Sequence, residues 1–114
     1  MDPLAFYKCL ADDTRLKSLL LIDREQELCV CELTEGLQVS QPKVSRHLAQ
    51  LRACGLLEDR RDGQWIFYRI NPELPVWASE VIRATANSNP GFIEEAHQLL
   101  CGMGDRPVRR EQCC

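Results

Sequence analysis

The sequence predicts a mainly α-helical protein carrying one β-hairpin, in the α+β class. Two observations predict it. Residues 29–55 hold two short helix-like segments in tandem, the second apolar on one side and basic on the other. Residues 56–70, LLEDRRDGQWIFYRI, then read as two strand-like runs joined by Asp62-Gly63, a dipeptide favoured in two-residue hairpin turns.

The elements follow in order. Residues 4–10, LAFYKCL, predict a short helix. Asp12 or Asp13 can cap a second, TRLKSLLLIDR, in which Leu16, Leu19 and Leu20 recur at i, i+3 and i+4. EQEL, residues 25–28, is too short and polar for more than an edge strand. A helix then begins near Cys29 and runs to Glu35, with Gly36 as its stop. After the tight link Leu37-Gln38-Val39, Ser40 caps the next helix, QPKVSRHLAQLRAC, which ends at Gly55. Pro42 is tolerated in its first turn, where no intrahelical N–H is needed.

That helix has two faces. Val44, Leu48 and Leu51 fall at i, i+4 and i+7 and form a core stripe, with Lys43, Arg46, His47 and Gln50 together on the opposite side. Two short helices, the second with a basic outer face, match a helix-turn-helix. The basic hairpin directly after it makes the whole a winged helix-turn-helix, with the arginine-bearing hairpin as the wing. Asn71-Pro72 ends the hairpin. Residues 74–86 predict a further helix with Pro75 in its first turn, Asn87–Gly91 breaks it, and residues 92–100 form a last short helix. Residues 1–101 therefore read as one domain. Residues 102–114, GMGDRPVRREQCC, with two glycines, a proline and mixed charge, read as a flexible cysteine-containing tail.

Composition bounds the class. A chain of 114 residues, 45% of them apolar, supports a small core of the kind that dimerisation often stabilises. No run of about 18 apolar residues predicts a membrane span, and the N-terminus lacks the basic-then-apolar pattern of a secretion signal, so a cytoplasmic protein with no membrane partner is expected. The cysteines are Cys9, Cys29, Cys31, Cys54, Cys101, Cys113 and Cys114. An odd number in a reducing compartment argues against a disulfide framework and leaves buried apolar residues or ligands. Net charge is −3, yet residues 40–70 carry six basic side chains against three acidic ones. A local basic surface on an acidic body is an electrostatic footprint for nucleic acid.

Within that footprint Ser40, Gln41, Lys43, Ser45, Arg46, His47 and Gln50 are the candidate DNA contacts of the second helix, with Arg60, Arg61 and Gln64 at the wing. Gln41 and Gln50 can reach base edges, and Ser45 and Arg46 base or phosphate. Ser40 sits at a helix N-terminus, a natural phosphate site. The competing reading is a solvated polar face, and for His47 alone packing against a neighbour.

ELCVCEL, residues 27–33, places two thiols at the start of a helix, with Glu32 at the third position as in a capping box. A thiol at a helix N-terminus is expected to ionise more easily, and soft thiolates select thiophilic ions. Side chains at i and i+2 of a regular helix do not face each other. An ion shared by Cys29 and Cys31 would therefore distort the turn that leads into the reading helix. The plainer reading is two small buried residues, as read for Cys9 and Cys54 on their apolar faces. Neither a phosphate-cradling loop with a nucleophilic cysteine nor a C-x-x-C is present, so no thiol enzyme is expected. His97 with Glu94 is a weak i, i+3 pair and makes no zinc site alone.

The run LADDTRLKSLLLI, ELCVCEL, SQPKVSRHLAQLRACGLLEDRRDGQWIFYRI resembles the ArsR/SmtB family of winged-helix metalloregulatory repressors, and within it the arsenical-resistance operon repressors. The similarity spans roughly residues 4–85. It implies a homodimer on an imperfectly palindromic double-stranded operator, with no cofactor in the apo repressor. Release would follow when As(III), Sb(III) or methylarsenite binds Cys29 and Cys31. It also implies a dimer interface built by the first and last helices, residues 4–10 and 74–100. Related arsenic repressors often carry a third cysteine three residues after the second, where this chain has Thr34, so Cys101, Cys113 and Cys114 stand as further ligand candidates. The alternatives of the same fold are a Cd/Pb/Zn-responsive and a thiol-redox-responsive repressor.

Overall fold

The computed structural model describes residues 1–104. Six α-helices surround a small antiparallel sheet in the order α1 (Pro3–Leu10), α2 (Asp13–Glu25), β1 (Leu28–Cys29), α3 (Val30–Leu37), α4 (Gln41–Ala53), β2 (Leu57–Asp62), β3 (Trp65–Ile70), α5 (Val76–Ser88), a 3-10 turn (Pro90–Phe92) and α6 (Glu94–Gly102). The winged helix-turn-helix is present: α3 and α4 are the tandem pair, and β2–β3 the wing.

Local chemistry explains where the first helices begin. Asp2 caps α1 by accepting from the Ala5 N–H at 3.0 Å, and Asp12 caps α2 by accepting from the Arg15 N–H at 3.0 Å. Asp13 lies inside α2 and pairs with Lys17 one turn on, at 3.3 Å. The backbone N–H of Arg15 holds the Asp12 carboxyl below the usual carboxylate range. Leu19, Leu20, Leu21 and Ile22 are all fully buried. Four consecutive buried residues close every side of that turn, and α2 is the element on which α1, α3, α4, α5 and β3 pack.

The edge strand expected near residues 25–28 forms at Leu28–Cys29, pairing with Tyr68 and Phe67 of β3 in a sheet of order β1-β3-β2. In the wing, Asp62 pairs with Trp65, so the two loop residues are Gly63 and Gln64 and not Asp62 and Gly63. Gly63 has φ +63° while Gln64 does not take a positive φ, as in a type II′ hairpin, which puts glycine at its first loop position.

Three further boundaries differ from expectation. Gly36 does not stop α3 but lies inside it. A Cβ there would meet Leu100 Cγ at 3.2 Å and the Ala96 carbonyl oxygen at 3.4 Å, so the glycine serves the close approach of α6. The helix ends instead at Gln38, left-handed at φ +57°, whose N–H returns to the Thr34 carbonyl at 3.0 Å. Pro75 caps α5 and does not enter its first turn. Gly102 belongs to α6 and Met103 is buried in the core, so the tail expected from residue 102 cannot begin before Gly104. Residues 105–114, with Cys113 and Cys114, lie outside the described residues.

Candidate nucleic-acid interface and thiol pocket

Helix α4 buries Val44, Leu48 and Leu51 and exposes Gln41, Lys43, Ser45, Arg46 and Gln50. Ser40 is its N-cap and is exposed, but its side chain makes no cap hydrogen bond, which leaves the hydroxyl available. His47 departs from the expected outer face. It is 5% exposed and turned toward α2. Arg15 Nη1 lies 3.3 Å from His47 Nδ1. Gln50 Oε1 lies 3.2 Å from the same Nδ1, and Nε2 faces Asp12 Oδ2 at 3.8 Å. Arg15 also donates to Gln50 Oε1 at 2.9 Å and, through Nε, to the Cys9 carbonyl at 2.6 Å. Arg15 thus ties α1, α2 and α4 together. It was missed in the sequence because its partners lie 6 to 35 positions away.

The arginines of the basic segment divide into two groups. Arg52 donates to Asp59 at 2.9 Å, and Arg69 pairs with Glu58 across the hairpin. Arg60 donates to Glu27 at 3.0 Å, lies over the Phe67 ring at 4.9 Å and reaches Asp62 at 3.9 Å. It clasps the wing to the residue before β1. Lys43, Arg46 and Arg61 are exposed and have no ion-pair partner among the described residues. These three cations and the exposed tip residue Gln64 lie at the surface of the second helix and the wing.

Cys29 and Cys31 line one pocket of about 290 Å³ together with Val30, Gln41, Gln64, Trp65 and Ile66. Its walls are the start of α3, the first residue of α4 and the wing turn. Cys29 is the last residue of β1 and, at the same time, the N-cap of α3. Its N–H donates to the buried Glu32 carboxylate at 3.0 Å, and its sulfur faces the Glu32 N–H in a capping box. The thiol does not ionise more easily for that. Burial pushes Cys29 up to about 12, outweighing the lowering by the Glu32 N–H, and the Glu32 and Cys31 charges raise it further. The helix-terminus effect is real but smaller than the cost of charging the sulfur of a residue that is only 4% exposed.

Thr34, in the place of a third cysteine, donates its hydroxyl to the Val30 carbonyl at 2.9 Å. Cys101 is exposed on α6 with its sulfur 3.7 Å from His97 Nε2. No cluster of three His, Cys, Asp or Glu side chains suited to a metal occurs among the described residues, so within one chain Cys101 does not join Cys29 and Cys31. Those two remain the thiols that the fold brings into one pocket with α4 and the wing.

Comparison with known proteins agrees with this geometry. Residues 12–59 match the family described as bacterial regulatory protein, arsR family. The chain is 50% identical over 113 residues to the arsenic resistance transcriptional regulator ArsR1 of Pseudomonas putida, covering 99% of this chain and 88% of that one. It is 52% identical over 80 residues to the arsenical resistance operon repressor of Escherichia coli K12, covering 70% and 68%. Among solved structures, reduced HlyU from Vibrio cholerae superposes with a TM-score of 0.67 at 30% identity, covering 75% of this chain and 85% of that one.

Proposed function

The chain belongs to the arsR family of bacterial regulatory proteins, and from that premise we propose that it holds its operator as a homodimer and lets go when trivalent arsenic or antimony binds Cys29 and Cys31. At the coarser level it is an ArsR-type transcriptional repressor with a DNA-binding winged helix-turn-helix, and not an enzyme. No helix among the described residues is long and apolar enough to cross a membrane. Its operator places its work in the cytoplasm.

The observation that carries the proposal is the shared pocket. Both cysteines line a space bounded by Gln41 of the reading helix and by Gln64 and Trp65 of the wing. To bond a metalloid, Cys29 must turn away from the Glu32 N–H. Loss of a cap costs about 0.5–2 kcal/mol. Moving a population from mostly bound to mostly released takes about 5.5 kcal/mol. The cap alone is too small, and Cys29 supplies the rest through its second role, because it is paired with Phe67 of β3. Displacing it loosens the strand that anchors the wing, so the start of α3 and the wing shift together.

The protonated thiol also favours one class of inducer. With arsenous acid, an As–O bond breaks, an As–S bond forms, and the thiol proton leaves with the hydroxide as water. No net proton is released. A divalent cation must instead expel each thiol proton into solution, so its affinity rises with pH by up to about tenfold per unit for each protonated thiol. Release of labelled operator, followed by fluorescence anisotropy at pH 6.5 and 8.0, separates the two. The arsenite midpoint is expected to stay within about twofold, while that of cadmium falls by tenfold or more. A cadmium-like pH dependence for arsenite, or potent release by cadmium alone, would overturn the metalloid assignment. Release by peroxide without any metalloid effect would favour the redox reading.

On the DNA side, Arg46→Ala is expected to weaken operator binding and to lower the slope of log affinity against log salt by about one, the signature of one lost phosphate contact. Arg46 is exposed and unpaired, so the urea midpoint of unfolding should not move. An unchanged salt slope would remove Arg46 from the interface.

A further inference from the structure

We propose that Cys9 and Cys54 form a second dithiol site, separate from Cys29 and Cys31, which captures a monosubstituted trivalent arsenical, R–As(OH)2, by bridging α1 to the end of the reading helix. Cys9 lies near the end of α1 and is 6% exposed, whereas Cys54 caps the C-terminus of α4 and is exposed. The two residues converge on one atom: the Gln50 carbonyl oxygen accepts from the Cys54 N–H at 3.0 Å and lies 3.9 Å from Cys9 Sγ. The Cys54 thiol is near enough to act on Cys9 electrostatically, and neither is in a disulfide. Each had read separately as a core residue in the sequence, 45 positions apart, and only the fold makes them a pair.

The chemistry of the pair selects its ligand. Burial, then the neighbouring Cys54 thiol, pushes Cys9 up to about 12, although Arg15 opposes this. A thiol held protonated is a poor attacker of a sulfenic acid or disulfide, since the thiolate is the nucleophile. It suits a ligand that carries away the proton itself. Two As–O bonds break, two As–S bonds form, and two waters leave, with no change of oxidation state. Two thiols satisfy two valences of arsenic, and the third, the R group, projects on the open side at Cys54. Once one sulfur is attached the second is an intramolecular neighbour, so a free monothiol competes poorly and a dithiol well.

Occupancy here differs from occupancy at Cys29. The C-cap hydrogen bond of Cys54 is made by its backbone, so its sulfur can be used without uncapping α4. The bridge staples two elements already in contact and is expected to stabilise the fold by mass action.

The test uses the full-length chain with Cys29, Cys31, Cys101, Cys113 and Cys114 all changed to serine, which leaves Cys9 and Cys54. The probe is phenylarsine oxide, with intact-mass spectrometry and thermal unfolding as readouts. One adduct per chain is expected, resistant to excess glutathione, removed by dithiothreitol, and raising Tm by about 4 °C or more at saturation. Adding Cys54→Ser, at an exposed position that should not impair folding, is expected to abolish both effects, as is Cys9→Ser. The proposal fails if no adduct forms, if the adduct persists in the Cys54→Ser chain, or if glutathione strips it. A loss of two mass units with peroxide and no arsenical adduct would likewise overturn it, in favour of a disulfide. None of these results bears on release through Cys29 and Cys31, because those thiols are absent from the tested chain.

Discussion

Changing Cys29 and Cys31 together to serine is expected to give a repressor that still grips its operator but needs at least about 100-fold more arsenite to release it. The reason lies in what each position does. Serine is a better helix cap than cysteine, so Cys29→Ser keeps the Glu32 N–H satisfied and the β1 pairing with Phe67 intact. Operator affinity should therefore stay within about threefold of the parent. What disappears is the soft donor, since a hydroxyl oxygen does not compete with water for a thiophilic metalloid. An anisotropy titration of labelled operator against arsenite reads both quantities. Release at the parental arsenite concentration would place the inducer site elsewhere in the chain.

The second large effect concerns the face proposed to join two copies. Leu4 and Tyr7 of α1 are 60% and 53% exposed, and Val76 and Trp77 of α5 are 73% and 37% exposed. Phe6 holds the two helices together, with its ring 5.1 Å from Tyr7 and 5.0 Å from Trp77. Large apolar side chains gathered on one surface mark a protein interface. The double change Tyr7→Glu and Val76→Glu is expected to yield a monomer in sedimentation and to weaken operator binding by about 100-fold or more. A monomer offers one reading helix and half the phosphate contacts to a two-fold site. Both positions are exposed, so the far-UV circular dichroism of the subunit should be unchanged. A dimer that survives both charges would put the interface on another face.

The tandem helices, the wing and the thiol pair were legible because each rests on local rules: apolar periodicity, caps and a glycine turn. The exceptions all involve partners distant in sequence. Gly36 read as a helix stop because nothing near it announces Leu100, 64 positions on, against which its missing side chain is used. His47 falls on the basic side of its helix by spacing, yet Asp12 and Arg15 of α2 draw it inward. Arg60 and Arg61 are adjacent and chemically identical. Strand alternation sends one to Glu27 and leaves the other exposed, and only the register decides which. Cys29 misled in its electrostatics, because the helix-terminus effect is local and readable whereas burial is tertiary. Cys9 and Cys54 gave no sequence signal as a pair.

An inducer seated on Cys29 and Cys31 is expected to break the capping box and the β1–β3 pairing, on which operator binding is proposed to depend. Amide hydrogen exchange by NMR, with and without stoichiometric arsenite, tests it most directly at the Glu32 N–H and along Leu28–Cys29 and Phe67–Tyr68. Protection there is expected to collapse on metalloid binding while that of Leu19–Ile22 in the core persists. Unchanged protection at Glu32 and Cys29, with arsenic demonstrably bonded to both sulfurs and the operator released, would contradict it.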